Sequence, residues 1–395
     1  MLGEKYLEKI FARLDSMKGE MAEMSRIIWE NPEIGNEEFM ACELLCSKLE
    51  KEGFEVERGA ANLKTAFHAS KKSSKPGPKV AFVAEYDALP EIGHACGHNL
   101  FSVAAIGAGI VIGEIIEELG GEIVVMGSPA EEGVVENYGG KIYLIEEGYF
   151  EGVDACFTFH SEDETVIERS LVTSINIQAE FTGRAVHAGG SPEKGINALT
   201  AGMLTMNNVN GMRQHSYHGD VINGILTEGG IVPNTIPDYC KLSFSVRAMS
   251  KKNLQRMIEM LKRCVEAGAL VTGCEYKMNI PKRNYDDTLS NHQLGLVMAE
   301  VLDKLGIVYK QADHRNYAWD AGNISYVCPV LASYFKIGPA GIICHTPEFK
   351  EAAGSEEGVS GMMDGAKGMA ATAIEFFVNP DLRDRVKAEF IETVR

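Results

Sequence analysis

The chain has 395 residues, of which 45% are hydrophobic and 24% are charged, and its formal net charge at pH 7 is −18. This length exceeds what one ordinary core requires and predicts two domains. The acidic balance excludes a phosphate backbone as a natural partner, so no nucleic acid is expected, and the absence of an apolar run of about 18 residues excludes a predicted membrane span.

Two further features of composition indicate where the chain works. The nine cysteines are scattered, odd in number and without a Cys-x-x-Cys pair. Residues 1–26 are rich in Glu, Lys and Asp, which is not typical of a secretory signal peptide. A reducing cytoplasm is therefore expected, rather than a disulfide framework.

The first half of the chain alternates between helix and strand signals. Apolar residues spaced by three and four predict a first helix that Pro32 ends, and a second helix is predicted over residues 37–50. Weaker strands are predicted near residues 54–57 and 65–69. Nearly continuous apolar runs at residues 79–84, 123–126 and 155–159 predict strands buried on both faces of a mainly parallel sheet. The alternation predicts an α/β fold whose ligands collect beyond the carboxyl ends of the strands.

The pattern changes near Leu171 to strands of mixed alternation. Strands are predicted near residues 171–181, 221–227, 238–246 and 275–280, and helices over residues 195–212 and 252–267. After Pro281 a helix is predicted at residues 289–305 and a strand at 329–337. We therefore predict one domain from residues 1–170 and 283–395, with a smaller α+β domain, residues 171–282, inserted into it.

The densest group of possible metal ligands is His94-Ala95-Cys96-Gly97-His98-Asn99, directly after a buried strand. Thiolate and imidazole both bind zinc, and Gly97 permits unusual backbone angles between Cys96 and His98. The alternative is a buried cysteine with two unrelated histidines.

Two adjacent carboxylates, Glu131 and Glu132, follow the next buried strand. Such a pair is most often solvated, but here one carboxylate can bind a metal while its neighbour acts as a general base. His160 is predicted to end its strand and His345 to lie in a loop, and each alone is more often structural. Taken together, the chain offers five ligand-type side chains, about as many as two ions that share a bridge require: Cys96, His98, Glu132, His160 and His345.

Four other polar residues complete the candidate site. Asp87 lies beside the cluster and is assigned to orienting a ligating imidazole. His187 occupies a glycine-flanked turn of the insert, which also contains Asn234 and Arg247. Arginine is the preferred group for bidentate carboxylate binding, although each of these three residues alone is more often structural.

These motifs resemble the aminoacylase/carboxypeptidase family of two-metal peptidases. The closest resemblance is to its amidohydrolase branch, which contains hippurate, auxin-conjugate and aminobenzoyl-glutamate hydrolases. The resemblance spans nearly the whole chain and rests on these motifs: Asn31-Pro32-Glu33, Tyr86-Asp87-Ala88-Leu89-Pro90, His94 to Asn99, Glu131-Glu132-Gly133, His160, His187, Asn234, Arg247 and His345-Thr346-Pro347. Two departures, Asn99 in place of Asp and Trp319-Asp320-Ala321 in place of Glu-Asp-Phe, resemble the aminobenzoyl-glutamate and dipeptide-cleaving members.

The resemblance implies a catalytic domain of zinc-peptidase type with two divalent ions per subunit. Cys96 would bridge the ions, with four terminal ligands: His98, Glu132, His160 and His345. Zinc fits these donors best, and manganese, cobalt and nickel stay open. Glu131 would be the general base.

The resemblance also implies a lid and dimerisation role for the insert, in a homodimer. His187, Asn234 and Arg247 would contact the substrate carboxylate or the developing oxyanion, with His187 reaching the partner's site. The expected reaction is amide hydrolysis in N-acyl amino acids, aminobenzoyl-glutamate-like conjugates or dipeptides, which releases an amino acid with a free carboxylate. Two alternatives stay open: a metal-free cysteine hydrolase that uses Cys96, and a non-catalytic small-molecule-binding protein on the same fold.

Overall fold

A computed structural model describes residues 3–394 and divides the chain into two compact units. Unit 1 runs to Ser170 and resumes over Thr288–Arg315 and from Asp320 onward, and unit 2 comprises Leu171–Asp287 and Asn316–Trp319. In residues 3–394, no helix is both long enough and apolar enough to cross a membrane.

Strands and helices are numbered in chain order. The strands are β1 (Glu55–Arg58), β2 (Phe67–Lys72), β3 (Lys79–Glu85), β4 (Glu122–Ser128), β5 (Ala155–Glu162), β6 (Val166–Ser170), β7 (Thr173–Thr182), β8 (Val221–Glu228), β9 (Tyr239–Ala248), β10 (Glu275–Asn279), β11 (Lys310–His314) and β12 (Val330–Lys336). The helices are α1 (Glu4–Glu30), α2 (Phe39–Lys51), α3 (His98–Gly113), α4 (Ile116–Leu119), α5 (Gly140–Glu146), α6 (Ala198–Met212), α7 (Lys251–Thr272), α8 (His292–Leu305), α9 (Ala321–Ile324), α10 (Pro347–Ala353), α11 (Glu356–Val378) and α12 (Pro380–Val394).

Unit 1 is built on an eight-stranded sheet in the order β1-β2-β4-β3-β5-β12-β6-β11. The central neighbours β4, β3, β5 and β12 run parallel, and so do β6 and β11. Antiparallel pairing joins β1 to β2, β2 to β4, and β12 to β6. The predicted α/β class with a mainly parallel sheet is therefore confirmed.

Helix α3 packs so closely on this sheet that every one of its residues is buried. Two glycines permit close packing, Gly107 against α1 and Gly109 against the sheet. A Cβ at Gly107 would lie 2.6 Å from the Cε of Met21, and a Cβ at Gly109 would lie 2.5 Å from Cγ2 of Val125. Because α3 begins at His98, the same packing fixes the position of that imidazole.

Most predicted elements are present with slightly different bounds. Helix α1 ends just before Asn31 and Pro32, as predicted, and the three apolar runs form β3, β4 and β5. The prediction that His160 ends its strand was wrong. Strand β5 continues to Glu162 because it pairs in parallel register with β12, where Tyr334 lies opposite His160. Strands β6 and β11 were not predicted.

Unit 2 contains a four-stranded antiparallel sheet in the order β10-β7-β9-β8. Buried side chains alternate along β7 and β9, and α6 and α7 contribute apolar residues to the same core. Strand β8 is an edge strand on which several large apolar side chains are exposed, including Ile225 at 63%.

Candidate metal centre

Parallel strands bring the predicted ligands of unit 1 to one sheet edge. Cys96 and His98 follow β3, Glu131 and Glu132 follow β4, and His160 lies near the end of β5. Because β4, β3 and β5 are parallel neighbours, their carboxyl ends meet at the same edge. His345, the fifth predicted ligand, lies in the loop after β12. Its backbone N–H donates to the Ala95 carbonyl over 3.0 Å, and this bond fixes the position of the loop.

Cys96 belongs to two of the three groups of possible ligand atoms at this edge, and the third group comprises Glu85, His98 and Glu131. The possible ligand atoms of Cys96, His98 and His160 all lie within 4.8 Å of one another, and the same holds for Cys96, Glu132 and His345. The Cys96 Sγ is 3.0 Å from the His345 Nε2. Two groups that share one thiolate fit two ions with a common ligand.

The backbone between Cys96 and His98 has a conformation that favours glycine. Gly97 has a φ of 77° and caps the N-terminus of α3. A Cβ at this position would lie 2.5 Å from the Oγ of Ser161. Gly97 therefore lets the chain bring the Cys96 thiol and the His98 imidazole into one group of ligand atoms. A larger residue at position 97 would clash with Ser161.

Asp87 orients one of these ligands. The His98 Nδ1 donates to the Asp87 Oδ1 over 3.0 Å, and the Glu132 N–H donates to the Asp87 Oδ2 over 3.0 Å. The His98 Nε2 is thereby left facing the other candidate ligands. Burial opposes ionisation of both partners, but the attraction between them lowers the pKa of Asp87 and raises that of His98 well above its usual range.

His160 presents its other ring nitrogen to the site. Its Nδ1 donates to the Ser161 carbonyl over 2.7 Å, so the neutral imidazole keeps the lone pair on Nε2. Burial, with the nearby His98, lowers the pKa of His160 to about 3. The neutral imidazole, which carries a lone pair on one ring nitrogen, is the form that binds a metal ion.

The donor set and the buried charge both fit divalent cations. The His98 Nε2 and the Glu132 Oε1 are buried and lack a hydrogen-bond partner among the residues that the structure describes. Buried polar atoms are nearly always paired, so a cation would satisfy both. Burial, together with Glu85 and Glu132, raises the pKa of Glu131 well above its usual range. Thiolate, imidazole and carboxylate are all zinc donors.

Glu131 lies beside the ligand atoms on a tightly held segment. Its Oε2 is 3.7 Å from the His98 Nε2. The preceding residue, Ala130, has a φ of 57°, in the left-handed region. Its N–H donates to the Glu38 Oε1 over 2.8 Å, and its carbonyl accepts from the Gly139 N–H over 2.7 Å. These bonds stabilise the strained turn that directs Glu131 into the site.

Sequence reasoning assigned no role to four charged residues that support this edge: Glu38, Glu85, Lys141 and Asp320. The Lys141 Nζ lies 2.6 Å from the Glu85 Oε1 and also pairs with Asp320, and all three side chains are fully buried. Asp320 was noted only as a departure from a motif, while Glu85, Lys141 and Glu38 were not singled out. The sequence offered two signals. Glu85 is a charged residue at the end of an apolar strand, and Lys141 is a charged residue at the start of an otherwise largely apolar helix.

In unit 2, His187 and Asn234 lie side by side. Both are exposed, and the Ala188 N–H donates to the Asn234 carbonyl over 2.9 Å. Beyond the ends of β7 and β9, an isolated antiparallel bridge pairs His187 with Thr235. The His187 Nδ1 accepts from the Gly189 N–H over 3.1 Å.

Arg247 lies near the opposite end of β9 from Asn234. Strand β9 begins at Tyr239, so Arg247 is about 26 Å farther along it at roughly 3.3 Å per residue. Its Nη1 donates to the Asn316 carbonyl over 2.7 Å. Unit 2 of one chain therefore does not bring Arg247 and Asn234 together.

Comparison with known proteins relates the chain to amide hydrolases. Residues 169–272 match the peptidase dimerisation domain. The Xaa-Arg dipeptidase of Mus musculus is 34% identical over 399 residues, covering 96% of this chain and 90% of that protein. One of the chains of the p-aminobenzoyl-glutamate hydrolase of Escherichia coli K12 is 33% identical over 71% of this chain and 61% of its own length.

Solved structures share the fold. A dinuclear metal-binding peptidase of the M20 family from Bacillus subtilis covers 91% of this chain and 98% of its own, with a TM-score of 0.71 and 20% identity. The aminobenzoyl-glutamate utilization protein of Klebsiella pneumoniae covers 92% of this chain and 97% of its own, with a TM-score of 0.69 and 17% identity.

We propose that Cys96 is the shared ligand of two ions. This assignment predicts how many ions each substitution of a ligand residue should remove. After zinc reconstitution, Cys96→Ala should lose both ions, because Cys96 belongs to two groups of ligand atoms. His160→Ala and His345→Ala should each lose one, and Cys240→Ala, a buried thiol of unit 2, should lose none. Metal per chain is measured by plasma mass spectrometry. Two ions retained in Cys96→Ala would contradict the assignment.

Proposed function

We propose that this chain, which belongs to the M20 family of metallopeptidases, releases an amino acid with a free carboxylate from its substrates. Homology identifies it as a metal-dependent hydrolase of amide or peptide bonds. The proposed substrates are dipeptides, N-acyl amino acids and aminobenzoyl-glutamate-like conjugates. The observation that carries this proposal is the pair of ligand groups that share Cys96, with the Glu131 carboxylate beside them.

The relatives agree on one part of the substrate and differ on another. Their names specify a dipeptide that ends in arginine and a conjugate of glutamate. Arginine and glutamate have opposite side-chain charges, but both leave as amino acids with a free α-carboxylate. That shared group is therefore the substrate feature that we assign to this chain.

The residues of unit 1 divide the chemistry between them. Ions held by Cys96 and its four companion ligands would act as Lewis acids and lower the pKa of a bound water, and zinc fits these donors best. Glu131 accepts the proton of the attacking water and passes it to the leaving amine. Asp87 keeps the His98 ring in its ligating orientation through the bond to Nδ1.

Unit 1 serves as the metal-binding catalytic domain and unit 2 as a lid and dimerisation domain. The match of residues 169–272 to the peptidase dimerisation domain supports this division. Strand β8 adds a physical reason, because an edge strand with exposed Ile225 and Leu226 is suited to pairing with a second copy. The active form is then a homodimer.

The exposed residues of unit 2 contact the substrate in this arrangement. His187 stabilises the developing oxyanion in the partner's site, and Asn234 accompanies it because the two lie side by side. Arg247 lies far from both along β9, and we assign it to binding the substrate carboxylate. Each site would thus draw on both protomers.

A reducing compartment such as the cytoplasm suits the cysteines. All nine are free thiols. The Sγ atoms of Cys42 and Cys46 lie only 3.9 Å apart without a disulfide. A thiolate at Cys96 must also stay reduced to bind metal.

The two alternatives make different demands on the site. The Cys96–His345 pair resembles the nucleophile and base of a cysteine hydrolase. That alternative leaves His98, His160 and Glu132 without a role, and the family's metal dependence decides against it. A purely binding protein has no need of Glu131 beside the ligand atoms.

The proposed substrate class predicts dependence on both metal and carboxylate. Activity should disappear on exhaustive chelation and return with zinc, manganese or cobalt.

The carboxylate is tested with four candidate substrates: alanyl-arginine, alanyl-glutamate, N-acetyl-alanine and aminobenzoyl-glutamate. For each one that is cleaved, amidating the α-carboxylate should lower kcat/KM by about 10- to 100-fold, because charge-assisted hydrogen bonds are lost. The penalty should shrink in Arg247→Ala. Equal hydrolysis of an acid and its amide would refute the proposal.

Glu131→Gln separates a base from a ligand. Glutamine keeps the shape but cannot accept the proton, so kcat should fall at least about 10²-fold. Metal content should stay at the native value, measured on the same sample. A fall in metal per chain would place Glu131 among the ligands, and an unchanged kcat would remove it from the reaction.

Mixed dimers test whether His187 acts in the partner's site. His187→Ala and Glu131→Ala should each be nearly inactive alone. A mixed dimer has one site with both residues intact, and random exchange makes half of the dimers mixed, so equal mixing should recover about a quarter of native activity. Pull-down of differently tagged protomers controls for exchange. No recovery in proven mixed dimers would show that His187 does not act across the interface.

A further inference from the structure

Lys141 connects three elements of unit 1 beneath the candidate metal centre. Its ammonium lies 2.6 Å from the Glu85 carboxylate at the end of β3 and pairs with Asp320 at the start of α9. The Lys141 backbone N–H also donates to the Asp320 Oδ2 over 3.3 Å. All three side chains are fully buried, so each of these contacts is shielded from solvent.

The residues just before Lys141 hold the segment that carries Glu131. The Gly139 N–H donates to the Ala130 carbonyl over 2.7 Å, and the Gly140 N–H donates to the Pro129 carbonyl over 3.1 Å. A Cβ at Gly140 would lie only 2.4 Å from that Pro129 oxygen. A shift of the Lys141 backbone would therefore be transmitted directly to the turn before Glu131.

Stability alone is a weak reason to keep such a charge. Burying an ammonium between two carboxylates costs desolvation energy, and well-packed neutral side chains often replace buried ion networks without loss. Burial opposes the charge on Lys141, yet Asp320 and Glu85 hold its pKa above the usual range. The ammonium therefore stays charged, and the network fixes the geometry of three elements that are distant in sequence.

We propose that Lys141 is a positioning residue for Glu131. By binding Glu85 and Asp320 together, it anchors the start of α5 and, through Gly139 and Gly140, the turn that directs Glu131 into the site. The same contact holds the Glu85 carboxylate, whose other oxygen is 3.7 Å from the His98 Nε2. This inference rests on the proposed role of Glu131 as the base.

A double-mutant cycle between Lys141 and Glu131 tests the proposal. Lys141→Met removes the ammonium but keeps a long side chain, and kcat should fall by about 10- to 100-fold, the range that a displacement of about 1 Å can cause. KM should change less than about threefold. In the Glu131→Gln background, the same substitution should cause no further loss, because it acts through the base that is already removed.

A neutral version of the network guards against misfolding. Lys141→Met leaves two buried carboxylates without their cation, which can unfold the chain. Combining Lys141→Met with Glu85→Gln and Asp320→Asn removes all three charges, and this variant should recover the native thermal midpoint. Its kcat should stay low, because neutral side chains do not fix the three elements as tightly.

Lys48 provides a matched control. It is also a buried lysine between two carboxylates, 2.7 Å from Glu20 and 2.8 Å from Glu52, but it lies on α2 and contacts no residue of the turn before Glu131. Lys48→Met should lower the thermal midpoint and leave kcat near the native value. Metal per chain is measured for every variant at saturating zinc.

Each outcome separates the two proposals. Native kcat in Glu131→Gln would refute Glu131 as the base, which is the part of the proposed function on which this inference rests, whatever Lys141 does. If kcat falls in Glu131→Gln, a further fall of kcat when Lys141→Met is added, by the same factor as in the native background, would refute the positioning role. Recovery of kcat along with the thermal midpoint in the neutral variant would also refute it, since Lys141 would then only stabilise. Loss of metal in Lys141→Met would refute it too, because Lys141 would then act on the ligands.

Discussion

Buried negative charge at one sheet edge is the constraint on which the rest of the structure depends. Five carboxylates meet there and are almost entirely shielded from water: Glu85, Asp87, Glu131, Glu132 and Asp320. Isolated charges in such surroundings cost far more than a fold can tolerate. Lys141 compensates part of this charge from within the chain. The remaining negative potential makes the edge a site for divalent cations. The same carboxylates therefore determine both the ion pairs that hold this edge together and its affinity for metal.

Local patterns were enough to predict the centre of the large sheet. The apolar runs that form β3, β4 and β5 are continuous because both faces of these strands are buried, and that signal needs no knowledge of the partners. Strands β6 and β11 have no such signal. Each has five residues, and each is defined by pairing with a segment more than 130 residues away. Their existence depends on tertiary contacts that no local window contains.

The candidate site divides in the same way. Cys96 and His98 stand out because their donors are close in sequence, whereas His345 is 249 residues from Cys96 and was grouped with it only as one of five ligand-type side chains. Lys141 and Glu85 carry no motif, since a single charged residue gives no sign of a buried partner. Asn234 and Arg247 were both expected to contact the substrate carboxylate or the developing oxyanion. Asn234 precedes β9 and Arg247 lies near its end, so the length of this extended strand separates them.

The position of β12 has a consequence for how the chain is made. This strand lies between β5 and β6 in the middle of the large sheet, yet it is encoded by residues 330–336. While the ribosome synthesises the preceding residues, β5 has an unpaired edge, which is the kind of surface that promotes aggregation. Most of unit 2 is complete by Asp287 and can fold first. Unit 1 is therefore completed late, when the segment that forms β12 emerges from the ribosome and pairs with β5 and β6.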